Sequence, residues 1–203
     1  GATWPLVTKS DGTKFGKTAD GAVWLDAQRT SPYQFRQFWM QMADADVVKY
    51  LPQFSLSSMS EISSLLESHL SDPGKRIAQR TLATELTVLV HGADASRDAE
   101  AAAEILFGGD PNGATREALQ AIAAEVANTV VTREDLDDVF GLLARSGIAS
   151  STSDARRSVE QGGITVNGQT LEKGQTLASK GILHDRWILV RKGKTTYHVL
   201  TLA

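Results

Sequence analysis

The chain has 203 residues, 41% hydrophobic and 22% charged, with no cysteine. This is the composition of a globular protein of one or two domains; it excludes disulfides and thiolate metal sites and fits a reducing cytosol, and no apolar run approaches the ~20 residues of a spanning helix. The net charge of −3 hides an asymmetry: residues 136–203 hold nine basic and six acidic side chains, residues 1–135 twelve and eighteen, so the basic surplus lies at the C-terminal end. The histidines (His69, His91, His184 and His198) are scattered without an HxxxH pair, so no metal site is expected.

With no initiator Met and a strand at its start (Pro5-Leu6-Val7-Thr8), the chain reads as a piece of something longer. The strand enters Asp11-Gly12-Thr13-Lys14-Phe15-Gly16-Lys17-Thr18. Lysines on a glycine-containing loop can close on a phosphate chain and neutralise charge as it develops. A Walker A loop is disfavoured, because it needs glycine where Asp11 stands. By itself the stretch also fits an exposed turn with two solvated lysines.

After the apolar stretch 22–26, Ser31, Pro32 and Gln34 read as a helix start with a capping box. Phe35, Phe38, Trp39 and Met42 recur at helical spacing and read as core. Asp44 or Asp46 starts a short helix with Val47, Val48, Tyr50 and Leu51, stopped at Pro52. Ser58 and Glu61 cap a third, with Ile62, Leu65, Leu66 and Leu70 largely on one face. Asp72-Pro73 opens a fourth, holding Ile77, Ala78, Leu82, Leu86 and Leu89 and ending at Gly92. Its Lys75, Arg76 and Arg80 read as a solvated face. Asp94 starts an alanine-rich fifth through Phe107, closed by Gly108-Gly109. These helices predict a compact helical domain over 30–109. Residues 110–131 read as a linker: a turn at Asp110-Pro111-Asn112-Gly113, a helix capped by Thr115, then extended chain at 127–131.

A second domain is expected over 132–203. Thr132 and Asp135 cap a helix that turns Leu136, Val139, Phe140 and Leu143 inward and ends at Gly147. Ser151 and Asp154 cap another, stopped by Gly162-Gly163. Residues 164–171 alternate around Asn167-Gly168, a hairpin signal. Residues 186–191 and 196–200 are two more strands, joined by Lys192-Gly193-Lys194-Thr195. The fold class is therefore α+β, a mainly helical domain followed by a small α+β unit. Arg156 and Arg157 point about 100° apart on their helix. Such a pair suits a curved phosphate backbone, each forking to a different phosphate, and Ser153, one turn before Arg157, can donate to another. Two ordinary surface arginines is the plain alternative.

Gly147, Ser151, Ser153, Ala155-Arg156-Arg157, Gly162-Gly163 and Val166-Asn167-Gly168 follow in an order that resembles the S-four-type RNA-binding domain, over residues 136–203. In that family two helices and the next hairpin present a basic face to structured RNA. The resemblance implies that Arg145, Arg156, Arg157 and Asn167 face RNA; Ser153 joins them from its spacing, and Arg191, Lys192 and Lys194 from charge alone. Ser158 departs from the pattern, standing where the family often has an apolar residue.

Lys14-Phe15-Gly16-Lys17-Thr18 resembles the tyrosyl version, KFGKT, of the mobile KMSKS loop of class I aminoacyl-tRNA synthetases. Lysine loop, helical domain and RNA-binding domain occur in the order of the C-terminal half of the bacterial tyrosyl-tRNA synthetases. Further matching stretches are Thr30-Ser31-Pro32-Tyr33, Gln37-Phe38-Trp39 and residues 79–92. The resemblance implies a reaction in which tyrosine and ATP form tyrosyl-adenylate, and the tyrosyl group then moves to tRNA(Tyr). Lys14, Lys17 and Thr18 become catalytic candidates, and Lys14, Gly16 and Lys17 ATP contacts. ATP, with Mg as counter-ion, is expected as substrate of the whole enzyme and not bound to this chain.

Nothing here matches the family's HIGH-bearing Rossmann domain. Residues 1–29 are then the tail of a catalytic domain, the chain alone is expected to be inactive, and the whole enzyme is expected to dimerise through the part not present. The implied location is cytoplasmic, with no membrane or DNA partner. The rival classes are a free-standing RNA-binding regulator and a P-loop NTPase.

Overall fold

The computed structural model describes residues 1–3, 7–15, 17–18 and 21–203, with Lys17, Thr18 and Gly21 described in backbone alone. The chain divides into two compact units, residues 1–99 and 100–203.

The first unit opens with a two-stranded ribbon, β1 (Lys17–Thr18) antiparallel to β2 (Gly21–Ala22). Helices α1 (Pro32–Met40), α2 (Asp44–Phe54), α3 (Met59–Ser71) and α4 (Ile77–His91) follow, and α5 (Ala93–Leu106) runs on into the second unit. Ser31 caps α1 by accepting from the Gln34 N–H, and the capping box of Ser58 and Glu61 on α3 is closed both ways. Helices α1, α2 and α3 all pack on α4. Their inward residues, among them Phe35, Trp39, Tyr50, Leu51, Ile62, Leu82 and Leu86, form one cluster.

Two expectations here need correction. Pro52 does not stop α2, which continues to Phe54. It forfeits one ladder bond, and the last turn still closes through the Ser55 N–H on the Leu51 carbonyl at 3.0 Å. The helix expected to open at Asp72-Pro73 is interrupted: Pro73–Lys75 is a 3-10 turn, Arg76 is left-handed (φ 52°), and α4 starts at Ile77. Nor is Arg76 a solvated cation. Its Nη2 donates to the Met40 and Met42 carbonyls at 2.6 and 3.0 Å, at the C-terminal end of α1. A cation on orphan helix carbonyls is favourable and offsets a left-handed backbone that costs about 1–2 kcal/mol.

The second unit contains α6 (Arg116–Glu125), β3 (Ala127–Val131), α7 (Val139–Arg145), α8 (Thr152–Glu160), β4 (Ile164–Val166), β5 (Gln169–Thr170), β6 (Trp187–Lys192) and β7 (Thr196–Leu202). The sheet order is β3-β7-β6-β4-β5, with β3 parallel to β7 and the other pairs antiparallel. Leu142, Leu143, Ala155 and Val159 of α7 and α8 cluster with Ile164, Val166, Ile188, Val190 and Leu200 from one sheet face. Helix α6 packs on β3 and β7.

The stretch read as a linker differs from a free connection. Residues 127–131 are extended as expected, but they form an edge strand paired with β7 from Ala127↔His198 to Val131↔Leu202. The Thr132–Asp135 cap is present, yet it leads only a 3-10 turn (Glu134–Asp137). A second cap, Asp138 accepting from the Gly141 N–H at 3.1 Å, starts α7.

Candidate nucleic-acid interface and lysine loop

Helix α8 is held at its N-terminus by one carboxylate. Ser151 caps the helix by accepting from the Asp154 N–H. Oδ2 of Asp154 accepts from the Ser150 N–H and hydroxyl at 3.0 and 3.1 Å and from Lys192 Nζ at 2.7 Å, while Oδ1 accepts from Arg157 at 3.3 Å. The Lys192 ammonium, then the Ser150 N–H, hold the Asp154 carboxyl well below the usual carboxylate range. One acid therefore seats two candidate cations on the same face. Arg156 is exposed, its guanidinium 5.2 Å from the Phe140 ring centroid. No carboxylate pairs with it among the described residues. Ser153, Arg156, Arg157 and Glu160 line an open depression of about 310 Å³. Arg145, at the end of α7, is paired with Asp138 at 3.2 Å and with Asp135. Lys194 is exposed in the β6–β7 turn.

Because Asp154 has a depressed folded-state pKa, its stabilisation is complete above the unfolded carboxylate value of about 3.9 and is lost as pH falls through the folded value. Asp154→Asn is expected to lower the melting temperature of the second unit at pH 7 and to flatten its loss of stability below pH 4. Thermal melts at pH 7, 4 and 2.5 check both; an unchanged pH 7 melt would contradict the anchoring role.

Two candidates do not join this face. Asn167 is fully buried. It takes the left-handed position (φ 47°) of the hairpin turn, with Gly168 at φ 80°. Its Nδ2 donates to the Gly181 and Lys180 carbonyls at 2.9 and 3.3 Å, and its Oδ1 accepts from the Leu189 N–H at 2.9 Å. The side chain ties the hairpin to the following loop and β6, and is not turned outward. Arg191 alternates with core residues Val190 and Ile188 and so faces away from α8. Ser158 is buried in α8, as an apolar residue there would be.

The lysine loop begins as a tight hairpin. The Phe15 N–H donates to the Val7 carbonyl at 3.1 Å and the Lys9 N–H to the Thr13 carbonyl at 2.8 Å. The N–H and hydroxyl of Thr13 both donate to Asp11, at 2.9 and 2.6 Å, and hold its carboxyl below the ordinary value. Lys14 is exposed, while Phe15 turns inward among Phe38, Trp39, Tyr50 and Phe54, with ring centroids 4.8–5.6 Å away. Helix α2 grips the hairpin. The Thr8 carbonyl accepts from Lys49 Nζ at 2.7 Å and from the Tyr50 hydroxyl, and the Ser10 N–H donates to Asp46 at 2.6 Å. Burial, then the Asp46 charge, push the Tyr50 hydroxyl up, so it stays a donor. Sequence reading missed this grip, although Asp46, Lys49 and Tyr50 share one helix face by their i, i+3, i+4 spacing. Gly16 and the side chains of Lys17 and Thr18 lie outside the described residues.

Among the described residues no group of three acidic or histidine side chains could hold a metal ion, and no helix is long and apolar enough to cross a membrane.

Residues 1–108 match the family model described as tRNA synthetases class I (W and Y), and the chain belongs to that family. Residues 118–200 match the tyrosine–tRNA ligase SYY-like C-terminal domain. Similar curated proteins are tyrosine–tRNA ligases. That of Roseiflexus castenholzii is 44% identical over the whole chain, and that of Anaeromyxobacter dehalogenans is 44% identical over 97% of it. That of Geobacillus stearothermophilus is 42% identical over the whole chain. The chain spans about half the length of these relatives, 49%, 48% and 48% respectively.

Proposed function

We propose that the chain is the tRNA-binding part of a tyrosine–tRNA ligase, which activates tyrosine with ATP and transfers it to tRNA(Tyr). The observation that carries this reading is the α8 face, where Ser153, Arg156 and Arg157 stand together beside Lys192. It belongs to a chain that is similar to such ligases over its whole length. Guanidinium groups held on a short helix can fork to successive phosphates, and a folded RNA is read largely by shape and backbone. Lys194, exposed in the β6–β7 turn, and Arg145, ion-paired with Asp135 and Asp138, are further RNA-facing candidates. The helical residues 30–109 approach the anticodon arm, and the S-four-type unit the anticodon region and long variable arm.

In the whole enzyme Lys14 and Lys17 close on the pyrophosphate of ATP, for which Mg is the counter-ion, and Thr18 adds a hydroxyl. Such contacts speed adenylate formation only where they strengthen as charge builds. The enzyme is a cytoplasmic homodimer joined through its catalytic part.

Equilibrium binding to tRNA(Tyr) and to a tRNA with a short variable arm, at low and moderate salt, tests the reading. The expected result is a preference for tRNA(Tyr) that weakens with salt. Arg156→Ala/Arg157→Ala should cost tenfold or more and lower the salt slope by about one per arginine. Equal, weak binding of both RNAs by the unaltered chain would overturn selective recognition by this part.

A further inference from the structure

The second unit has another cavity, on the sheet face turned away from α8. It holds about 340 Å³ and is lined by Gly108, Asp110, Asn112, Gln169, Arg191 and Tyr197, among others. That volume is at the lower end of small-ligand sites, enough for one nucleotide and too small for a duplex.

Arg191 is the unexplained group in it. Its Nε is buried and has no hydrogen-bond partner among the described residues. Its Nη1 reaches the Tyr197 hydroxyl only at 3.5 Å, the limit of a hydrogen bond. No carboxylate is ion-paired with it among the described residues. Asp110 shares the cavity but turns its Oδ1 to the Asn112 N–H and Nδ2, at 3.0 and 2.6 Å. A buried guanidinium N–H without an acceptor is costly, and such a group in a native structure calls for a partner. The cavity meets Arg191 at the far end of its guanidinium, where Nη1 has only the distant Tyr197 hydroxyl, and an acceptor seated there would give the buried group the partner it lacks.

The walls define the partner's chemistry. The Tyr197 ring is fixed by its hydroxyl donating to the Ile105 carbonyl at 3.0 Å, and it lies 5.8 Å from the Arg191 guanidinium. Both groups offer flat faces. Gly108 (φ 105°) and Gly168 (φ 80°) leave the wall without Cβ atoms; a Cβ would come within 3.6 Å of Arg191 Nη1 at the first and 3.2 Å of Pro111 at the second. Flat surfaces and a bare backbone suit a planar ring. Gln169 supplies donors and an acceptor, and Asn112 and Asp110 acceptors, since the Asn112 amide N–H groups are turned to Asp110 and to the Asn167 carbonyl; this is the mixture a base edge requires. A bare phosphate or carboxylate would gain from Arg191 but be opposed by Asp110.

We propose that this cavity takes a single unpaired nucleotide of the bound RNA, its base in the slot beside Tyr197 and hydrogen-bonded by Arg191. Unpaired bases splayed from RNA are commonly held in this way, stacked on aromatic or guanidinium planes. The basic turn bearing Lys194 starts two residues beyond Arg191, which supplies a cation for the nucleotide's own phosphate. The inference rests on the RNA-binding reading of this unit.

The test is fluorescence-anisotropy binding of the chain to tRNA(Tyr) transcripts, each with one unpaired nucleotide made abasic. One abasic position is expected to weaken binding by the wild-type chain tenfold or more. Arg191→Gln should weaken binding of the intact transcript to a similar degree and be indifferent to that position. Arg156→Ala/Arg157→Ala should bind more weakly overall yet keep the sensitivity. A flat abasic series with the wild type, or an abasic loss that persists in full in Arg191→Gln, overturns the proposal while leaving RNA binding intact. No binding of the intact transcript by the wild type overturns the RNA reading itself. If Arg191→Gln melts early, Gln169→Trp, placed on the exposed strand β5 to fill the cavity mouth, carries the same expectations.

Discussion

Replacing Asn167 with alanine is expected to lower the unfolding free energy of the second unit by about 3–5 kcal/mol, a large share of the 5–15 kcal/mol of a typical domain. The substitution strands the Leu189 N–H inside the protein, because both Leu189 and Asn167 are buried. A buried donor left unpaired costs about 1–3 kcal/mol. The Lys180 and Gly181 carbonyls lose their donor as well, and alanine at φ 47° adds about 1 kcal/mol of backbone strain. Urea unfolding followed by circular dichroism measures the total, and hydrogen exchange at the Leu189 amide locates it. Asn167→Gly should recover only the backbone part, about 1 kcal/mol. Unchanged stability with weakened RNA binding would mean that the side chain works at the surface after all.

In a ligase that includes the catalytic part, Lys17→Ala is expected to raise the barrier to adenylate formation by about 2–4 kcal/mol, or roughly a hundredfold to a thousandfold in rate. The magnitude is that of a lost donor to a developing anion in a site shielded from water. On the proposed role, in which the ammonium acts only as charge appears on the departing pyrophosphate, tyrosine affinity should stay within about twofold. Lys14→Ala should behave in the same direction. Stopped-flow adenylate formation, with tyrosine binding measured separately, distinguishes the two quantities; equal losses in both would contradict a role confined to the transition state.

Local signals carried much of the secondary structure. Ser31, Ser58, Thr115 and Ser151 all cap where their spacing to the next polar residue places them. The Asn167-Gly168 turn was equally legible, since left-handed backbone there favours those two residues. Illegible were the features whose causes lie far along the chain. Strand β3 earns its place from β7, some seventy residues later. Arg76 breaks a helix because carbonyls at Met40 and Met42 reward it. The resemblance to the S-four-type domain points Asn167 at RNA, whereas its inward bonds run to residues 180–189, which local sequence does not place beside it. The α8 arginines needed no such information: adjacent residues on one short helix are placed by the helix itself. Their common anchor, Asp154 with Lys192, required the sheet to bring β6 beside α8.

The grip of α2 on the lysine hairpin makes that hairpin a cantilever. Its root is clamped through Thr8 and Ser10, and Phe15 is wedged among rings at the other strand. Bending at the root would leave the Tyr50 hydroxyl without its acceptor, so within residues 7–15 compliance is confined to the tip. Lys17 lies two residues past the wedge, a tether of about 7 Å at full extension. A tilt of α2 would therefore move the clamped hairpin as a whole, carrying Lys14 with the helical unit and keeping Lys17 within that reach of it.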